Sequence, residues 1–216
     1  MAATAETTRT DYRAESRSAP YVFGGAGTEA IAGAGAVVLT ILALIGMAPT
    51  ALTAVAAIAI GGGLLIEAFA VAAKWQSLRV ATDTNTLNQE VEMGGGLTAE
   101  MIGGVGGVTL GILALLGVLP EILLGVSAIA FGGALLFGSG TEARLASVGR
   151  GSSVPDTVVQ TGAGGEVLVG LAGVTLGILA LAMGTLTLTT IGLLTVGAGM
   201  VLGGGALMAR VGSIMR

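Results

Sequence analysis

Residues 100–115 read E-M-I-G-G-V-G-G-V-T-L-G-I-L-A-L. The same pattern recurs without a gap from Glu29 as E-A-I-A-G-A-G-A-V-V-L-T-I-L-A-L and from Glu166 as E-V-L-V-G-L-A-G-V-T-L-G-I-L-A-L. A second apolar stretch follows each: A-I-A-I-G-G-G-L-L-I from Ala57, A-I-A-F-G-G-A-L-L-F from Ala128 and L-T-V-G-A-G-M-V-L-G from Leu194. Self-similarity at a regular period identifies the architectural unit, because each unit must bury its face against its neighbours. Here the unit is a pair of apolar segments. The expected fold is an all-α integral membrane protein with six transmembrane helices, arranged as three tandem helical hairpin repeats of the same orientation.

Composition points the same way. The 216 residues are 53% hydrophobic and only 10% charged, against roughly 25% charged residues in soluble domains. A membrane-spanning helix needs about 20 apolar residues to cross about 30 Å of hydrocarbon. Six stretches qualify: 29–47, 51–72, 100–118, 122–140, 166–184 and 188–208. None alternates polar with apolar residues as a barrel strand does. Backbone groups in hydrocarbon must be bonded within the segment, so each stretch reads as a helix despite its glycines. The chain divides into a polar N-terminal tail (1–23), hairpin one (24–73), a linker (74–93), hairpin two (94–141), a second linker (142–160) and hairpin three (161–216). The segment 75–93 reads either as a continuation of the second helix along the interface, anchored by Trp75, or as a solvated loop. Gly149, Gly151, Ser152, Ser153 and Pro155 favour a loop in the second linker.

The first 20 residues carry six charges and no apolar centre, so they do not resemble a secretory signal. All nine basic residues lie in the tail, the two linkers or the C-terminal end, and none lies in the turns near 47–50, 119–121 and 184–187. Basic residues collect on the cytoplasmic side. Both termini are therefore expected in the cytoplasm, with a prokaryotic plasma membrane as the expected location. Pro49 and Pro120 stand twenty residues after Glu29 and Glu100, and Leu186 stands at that offset in the third copy.

Cysteine and histidine are absent, which removes thiolate chemistry and the usual zinc and haem ligands. No cofactor, metal site or catalytic residue is expected. The net charge of −4 argues against a nucleic-acid partner, which needs a clustered basic face.

The 39 glycines carry the clearest pattern within the spans. Gly103, Gly107 and Gly111, then Gly104 and Gly111, then Gly170, Gly173 and Gly177, then Gly199 and Gly203 recur at intervals of three, four and seven. No hydrophobic force draws helices together in lipid, so small residues that let backbones approach are the expected packing sites. Phosphate-binding loops would need a preceding strand and an accessible turn, and the context supplies neither.

Carboxylates are the remaining candidates for chemistry. Glu29, Glu100 and Glu166 open the three copies, where a helix start would favour a negative charge and Thr28 and Thr98 would serve as caps. The alternative is that the three converge on a common axis as an ion or proton site. Glu67 interrupts the second span, and by simple alignment its counterparts are Gly138 and Gly204. An ionisable residue within a span is a functional candidate by default, but Glu67 lies about two turns before Lys74, and the structural reading is that it snorkels to the cytoplasmic interface or pairs there. Thr109 and Thr175 are equivalent, Thr40 lies nearby, and Thr185, Thr187, Thr189, Thr190 and Thr195 cluster at the last hairpin; each can bond its own backbone. The functional expectation is a non-catalytic membrane protein acting as an assembly scaffold or accessory subunit, in a homo-oligomer or a larger membrane complex. The alternative is a small channel or transporter for a proton, a cation or a small neutral solute.

Overall fold

The computed structural model describes residues 27–79, 87–148 and 156–214. The N-terminal tail and the glycine- and serine-rich part of the second linker lie outside these residues. Among the described residues all regular structure is helical. The elements are α1 (Gly27–Leu44), α2 (Pro49–Arg79), α3 (Leu87–Leu115), α4 (Pro120–Val148), α5 (Asp156–Met183) and α6 (Leu186–Ile214). Each contains a stretch long and apolar enough to cross a membrane. α2 to α6 run on past their apolar stretches at one end. From Ala72 to Arg79 the sequence is rich in Ala, Lys, Gln and Leu, all good helix formers, so α2 continues through Trp75 to Arg79.

The even-numbered helices lie inside. Half of the apolar stretch of α2 and of α4 is buried, and 44% of that of α6, against 33%, 33% and 28% for α1, α3 and α5. α2, α4 and α6 touch one another pairwise, whereas α3 and α5 make no mutual contact among the described residues. α3 lies against α2 and α4, and α5 lies against α4 and α6. α1 completes the ring, with Gly33 on α6 and Ala32 on α2.

The seams of this ring are set by glycine. Gly33, Gly104 and Gly170 each stand four residues after a glutamate, and each faces a glycine of an inner helix. A Cβ on Gly104 would stand 2.9 Å from the Gly61 carbonyl oxygen, one on Gly170 would stand 2.6 Å from that of Gly132, and one on Gly33 would stand 2.6 Å from that of Gly197. No side chain fits at such distances, so the backbones themselves are in contact. Within each hairpin the neighbouring position is size-matched: Ala32 meets Gly63, Gly103 meets Ala134, and Val169 meets Gly199. One partner must be glycine for the other to carry a side chain.

The outer helices end in the same way. Gly46 (φ +91°), Gly117 (φ +84°) and Gly184 (φ +63°) adopt the left-handed conformation that glycine takes without steric penalty. The next amide in each case reaches back five residues: Met47 N–H donates to Leu42 O at 3.1 Å, Val118 N–H to Leu113 O at 3.0 Å and Thr185 N–H to Ala180 O at 3.2 Å. These are Schellman caps. Pro49 and Pro120 then open α2 and α4 at the one helical position where a missing N–H costs nothing.

The third turn differs by one residue. Gly46 and Gly117 are followed by two residues before the next helix, whereas Thr185 alone separates Gly184 from α6. Gly61 and Gly132 follow their glutamates by 32 residues, and Gly197 follows Glu166 by 31. The counterpart of Glu67 in α6 is therefore Gly203, not Gly204. Exposure agrees, since Ile66, Phe137 and Leu202, one residue earlier in each case, are all exposed. At the helix start itself Leu186 opens α6 as Pro49 and Pro120 open α2 and α4.

The interior is apolar at successive levels. Ile60, Phe131 and Val196 are fully buried, with Leu64, Leu135 and Met200 one turn away. Outside, Ile31, Ile102 and Leu168 at one level and Ile41, Ile112 and Ile178 at another are exposed. Two adjacent glycines of α4 separate close approach from propensity. Gly132→Ala drives a methyl group into the Gly170 backbone and is expected to cost at least about 2 kcal/mol, at the upper side of overpacking penalties. Gly133 has nothing within 4 Å of a would-be Cβ, so Gly133→Ala is expected to be neutral or to gain up to about 1 kcal/mol from helix propensity. Denaturant unfolding in detergent, followed by circular dichroism, checks both.

Candidate functional site

The glutamates that open the repeated segments are not helix-start residues throughout. Glu29 lies at the third described residue of α1, but α3 begins at Leu87 and α5 at Asp156, so Glu100 and Glu166 are more than two turns inside continuous helices. The amides around them are engaged in the helix ladder, and the macrodipole acts only over the first and last turns. The helix-start explanation therefore fails for two of the three, and Thr98 is an internal residue of α3 rather than a cap. What the glutamates share is burial: Glu29 is 4% exposed, Glu100 8% and Glu67 9%, while Glu166 is half-buried. Glutamate is almost never this buried without partners. All four have polar or electrostatic interactions.

Their packing explains the glycine at the Glu67 position. The Glu100 carboxylate lies on the α-carbon of Gly138, the facing residue of its own hairpin. Glu166 does the same in the third copy, its Oε1 3.0 Å from where a Gly203 Cβ would stand. Glycine at 138 and 203 makes room for these carboxylates. In the first copy that space belongs to the Glu67 side chain, and Glu29 turns elsewhere: its Oε1 lies 3.6 Å from the same Gly203 Cβ position. Gly203 of α6 is thus flanked by Glu29 of α1 and Glu166 of α5. Glu100 sits apart on Gly138. Among the described residues no three carboxylates are close enough to hold a metal ion.

At the turn end the polar groups are hydroxyls. Thr53 of α2 and Thr190 of α6 are hydrogen-bonded Oγ1 to Oγ1 at 3.0 Å. Thr53 Oγ1 also lies 2.6 Å from Pro49 O and Thr190 Oγ1 2.9 Å from Leu186 O, so the hydroxyl that accepts across the pair donates to its own helix carbonyl. Thr40 is fully buried at the place that Gly111 and Gly177 hold in the other copies, and donates to Ala36 O at 2.7 Å. Thr109 and Thr175 are exposed and donate to the carbonyls of Val105 and Leu171, both at 2.8 Å, and Thr195 donates to Ile191 O at 2.9 Å. The Oγ1 atoms of Thr185 and Thr189 are buried with no hydrogen-bond partner. The carboxylate and hydroxyl ends are separated by the apolar levels of Leu64, Ile60 and their counterparts.

Nearly all the glycines singled out by spacing are in use within the chain. Gly103 meets Ala134, Gly107 lies under the Phe131 ring, and Gly111 and Gly177 meet Ile58 and Ile129 of the preceding inner helix. Gly173 meets Val196, while Gly104, Gly170 and Gly199 form the contacts already described. Spacing alone could not name these partners, since a groove does not specify what fills it.

The chain matches no protein-family model, no curated protein and no solved structure.

Gly138→Ala is expected to destabilise the wild-type chain by about 1–3 kcal/mol, because the added methyl displaces the Glu100 carboxylate. In a Glu100→Ala background the same substitution is expected to cost little. A double-mutant cycle on the unfolding midpoint should therefore return a coupling above about 1 kcal/mol.

Proposed function

We propose that this chain is a non-catalytic integral membrane protein of three same-orientation helical hairpins, with both termini cytoplasmic, serving as an assembly scaffold or accessory subunit. The observation that carries this reading is the filled interior. The bundle is closed by backbone contact at the seams and by Ile60, Phe131, Val196 and their neighbours inside. Such a bundle offers a partner its outer surface, and its outer surface is apolar. Exposed Ile, Leu, Val and Phe recur on α1 to α5, with Leu202 on α6, far beyond the patch size a soluble monomer tolerates, and the same surface suits lipid or another membrane helix.

Because the glycines of the seams are consumed internally, a partner would use outward positions. Gly35, Gly62, Gly106 and Gly133 meet nothing within 4 Å and leave shallow gaps in the outer face. Gly107→Leu would collide with Phe131 and test the fold of one chain. Gly106→Leu fills an outward gap instead. In mild detergent the protein is expected to purify as a homo-oligomer or with a stoichiometric partner, and Gly106→Leu to weaken that association while the unfolding midpoint stays within about 1 kcal/mol of wild type. A strictly monomeric chain without partners would overturn the scaffold reading.

A transport reading draws on the placement of Glu29 and Glu166 about Gly203 and on the buried hydroxyls at the opposite end. It requires the apolar levels to open. On that reading Glu67→Gln leaves assembly unchanged and abolishes flux of a proton or small cation into proteoliposomes, and persisting flux removes Glu67 from the path.

A further inference from the structure

Apart from Thr185 and Thr187 at the third turn and Glu121 beside the second, the turn end of the bundle is apolar where a water-facing turn would be polar. Turns in water favour Gly, Pro, Asn, Asp and Ser, yet beside the cap glycines stand Ile45, Met47, Leu116, Val118, Leu119 and Met183. All are exposed, Leu116 to 73% and Ile45 to 67%. This surface is continuous with the side of the bundle, since Ile41 and Leu44 on α1 and Ile112 and Leu115 on α3 are exposed one turn below. Lys and Arg are absent from all three turns.

Length gives the second argument. From Glu29 to Leu44 on α1 and from Glu100 to Leu115 on α3 there are 16 residues each, or about 24 Å at ~1.5 Å per residue. The hydrocarbon core is about 30 Å thick. With the glutamates at one boundary of the hydrocarbon, the turns do not clear the other. A span shorter than the hydrocarbon is accommodated by local thinning and by side chains that reach out to the headgroups.

Resting on the membrane-spanning reading above, we infer that the three hairpin turns stay within the far leaflet, covered by phospholipid acyl chains, rather than emerging into water. Glu121, exposed at the start of α4, and Thr187 reach outward to the headgroups and set the depth: below the phosphates, well short of the midplane. The lipid is the occupant because the exposed apolar residues of the turns run on into those of the sides of α1 and α3 with no Lys or Arg between them. A docked protein would be expected to leave a boundary between them.

The chain has a single tryptophan and no cysteine, which suits it to site-directed probes. In a Trp75→Phe background, Val118→Trp reports on a turn and Val105→Trp on the side of α3. Each is reconstituted in phosphatidylcholine vesicles carrying bromine on the acyl chains, either near the ester or near mid-chain. The expected result is loss of emission for both, with Val118→Trp responding more to bromine near the ester and neither responding to iodide. Quenching of Val118→Trp by iodide with retained quenching of Val105→Trp by bromolipid overturns the inference and leaves the membrane reading standing. Protection of Val118→Trp from both quenchers overturns it in favour of a protein cover. Failure of bromolipid to quench Val105→Trp removes the membrane reading itself. As a check independent of the tryptophan, Val118→Cys is expected to resist a charged maleimide in intact vesicles and to react after denaturation in dodecyl sulfate, and reaction in intact vesicles overturns the inference.

Discussion

Backbone-to-backbone contact at three glycine pairs is the constraint on which this structure rests. In a bilayer, helices gain no hydrophobic free energy by leaving lipid for one another, so association depends on dispersion and on how closely the main chains approach. Gly61 with Gly104, Gly132 with Gly170, and Gly197 with Gly33 bring α2 to α3, α4 to α5 and α6 to α1 at distances that exclude any side chain. Everything else follows from that approach. The inner helices can touch because the outer ones sit deep between them, and the large side chains Phe131 and Met200 lie against small residues, Gly107 and Gly63.

The same geometry explains why the carboxylates can be buried at all. A glutamate at the first position of each repeated segment needs space beside the inner helix, and glycine at 138 and 203 supplies it. The first copy breaks the pattern by placing Glu67 there, which forces Glu29 toward α6 and creates an asymmetric end to an otherwise regular bundle. The asymmetry is chemical more than architectural, since the seams and caps of the first copy match those of the second.

Much of this was legible in the amino-acid order. The six apolar stretches matched the membrane-length apolar parts of the observed helices to within three residues, because length and continuity of apolar residues are strong signals, but α2 to α6 run on well beyond them into polar sequence. Three features escaped it for physical reasons. The glutamates read as helix starts because hydropathy changes at 29, 100 and 166, but α3 and α5 begin at Leu87 and Asp156 in the polar segments before them, even though Gly94 to Gly96 and Gly162, Gly164 and Gly165 are poor helix formers. The register of α6 differs by one residue from the gapless alignment because G-A-G at 197–199 aligns with G-G-G at 61–63 in two ways, and only contact with Gly33 distinguishes Gly197 from Ala198. Glycine spacing located the grooves, while their partners depended on which helices the short turns and the ring made adjacent.

Closure of the ring also limits its size. α6 meets α1 through the same kind of glycine pair that joins α2 to α3 and α4 to α5, so no seam is left open on the described bundle. A stacked array with free ends can lengthen by adding units, because each end presents the surface the next unit needs. A closed ring presents none: another hairpin would have to break an existing backbone contact to enter, or else lie on the outside against side chains. The number of helices in the described bundle is therefore limited by geometry, and additional helices would form a separate bundle instead of a larger one.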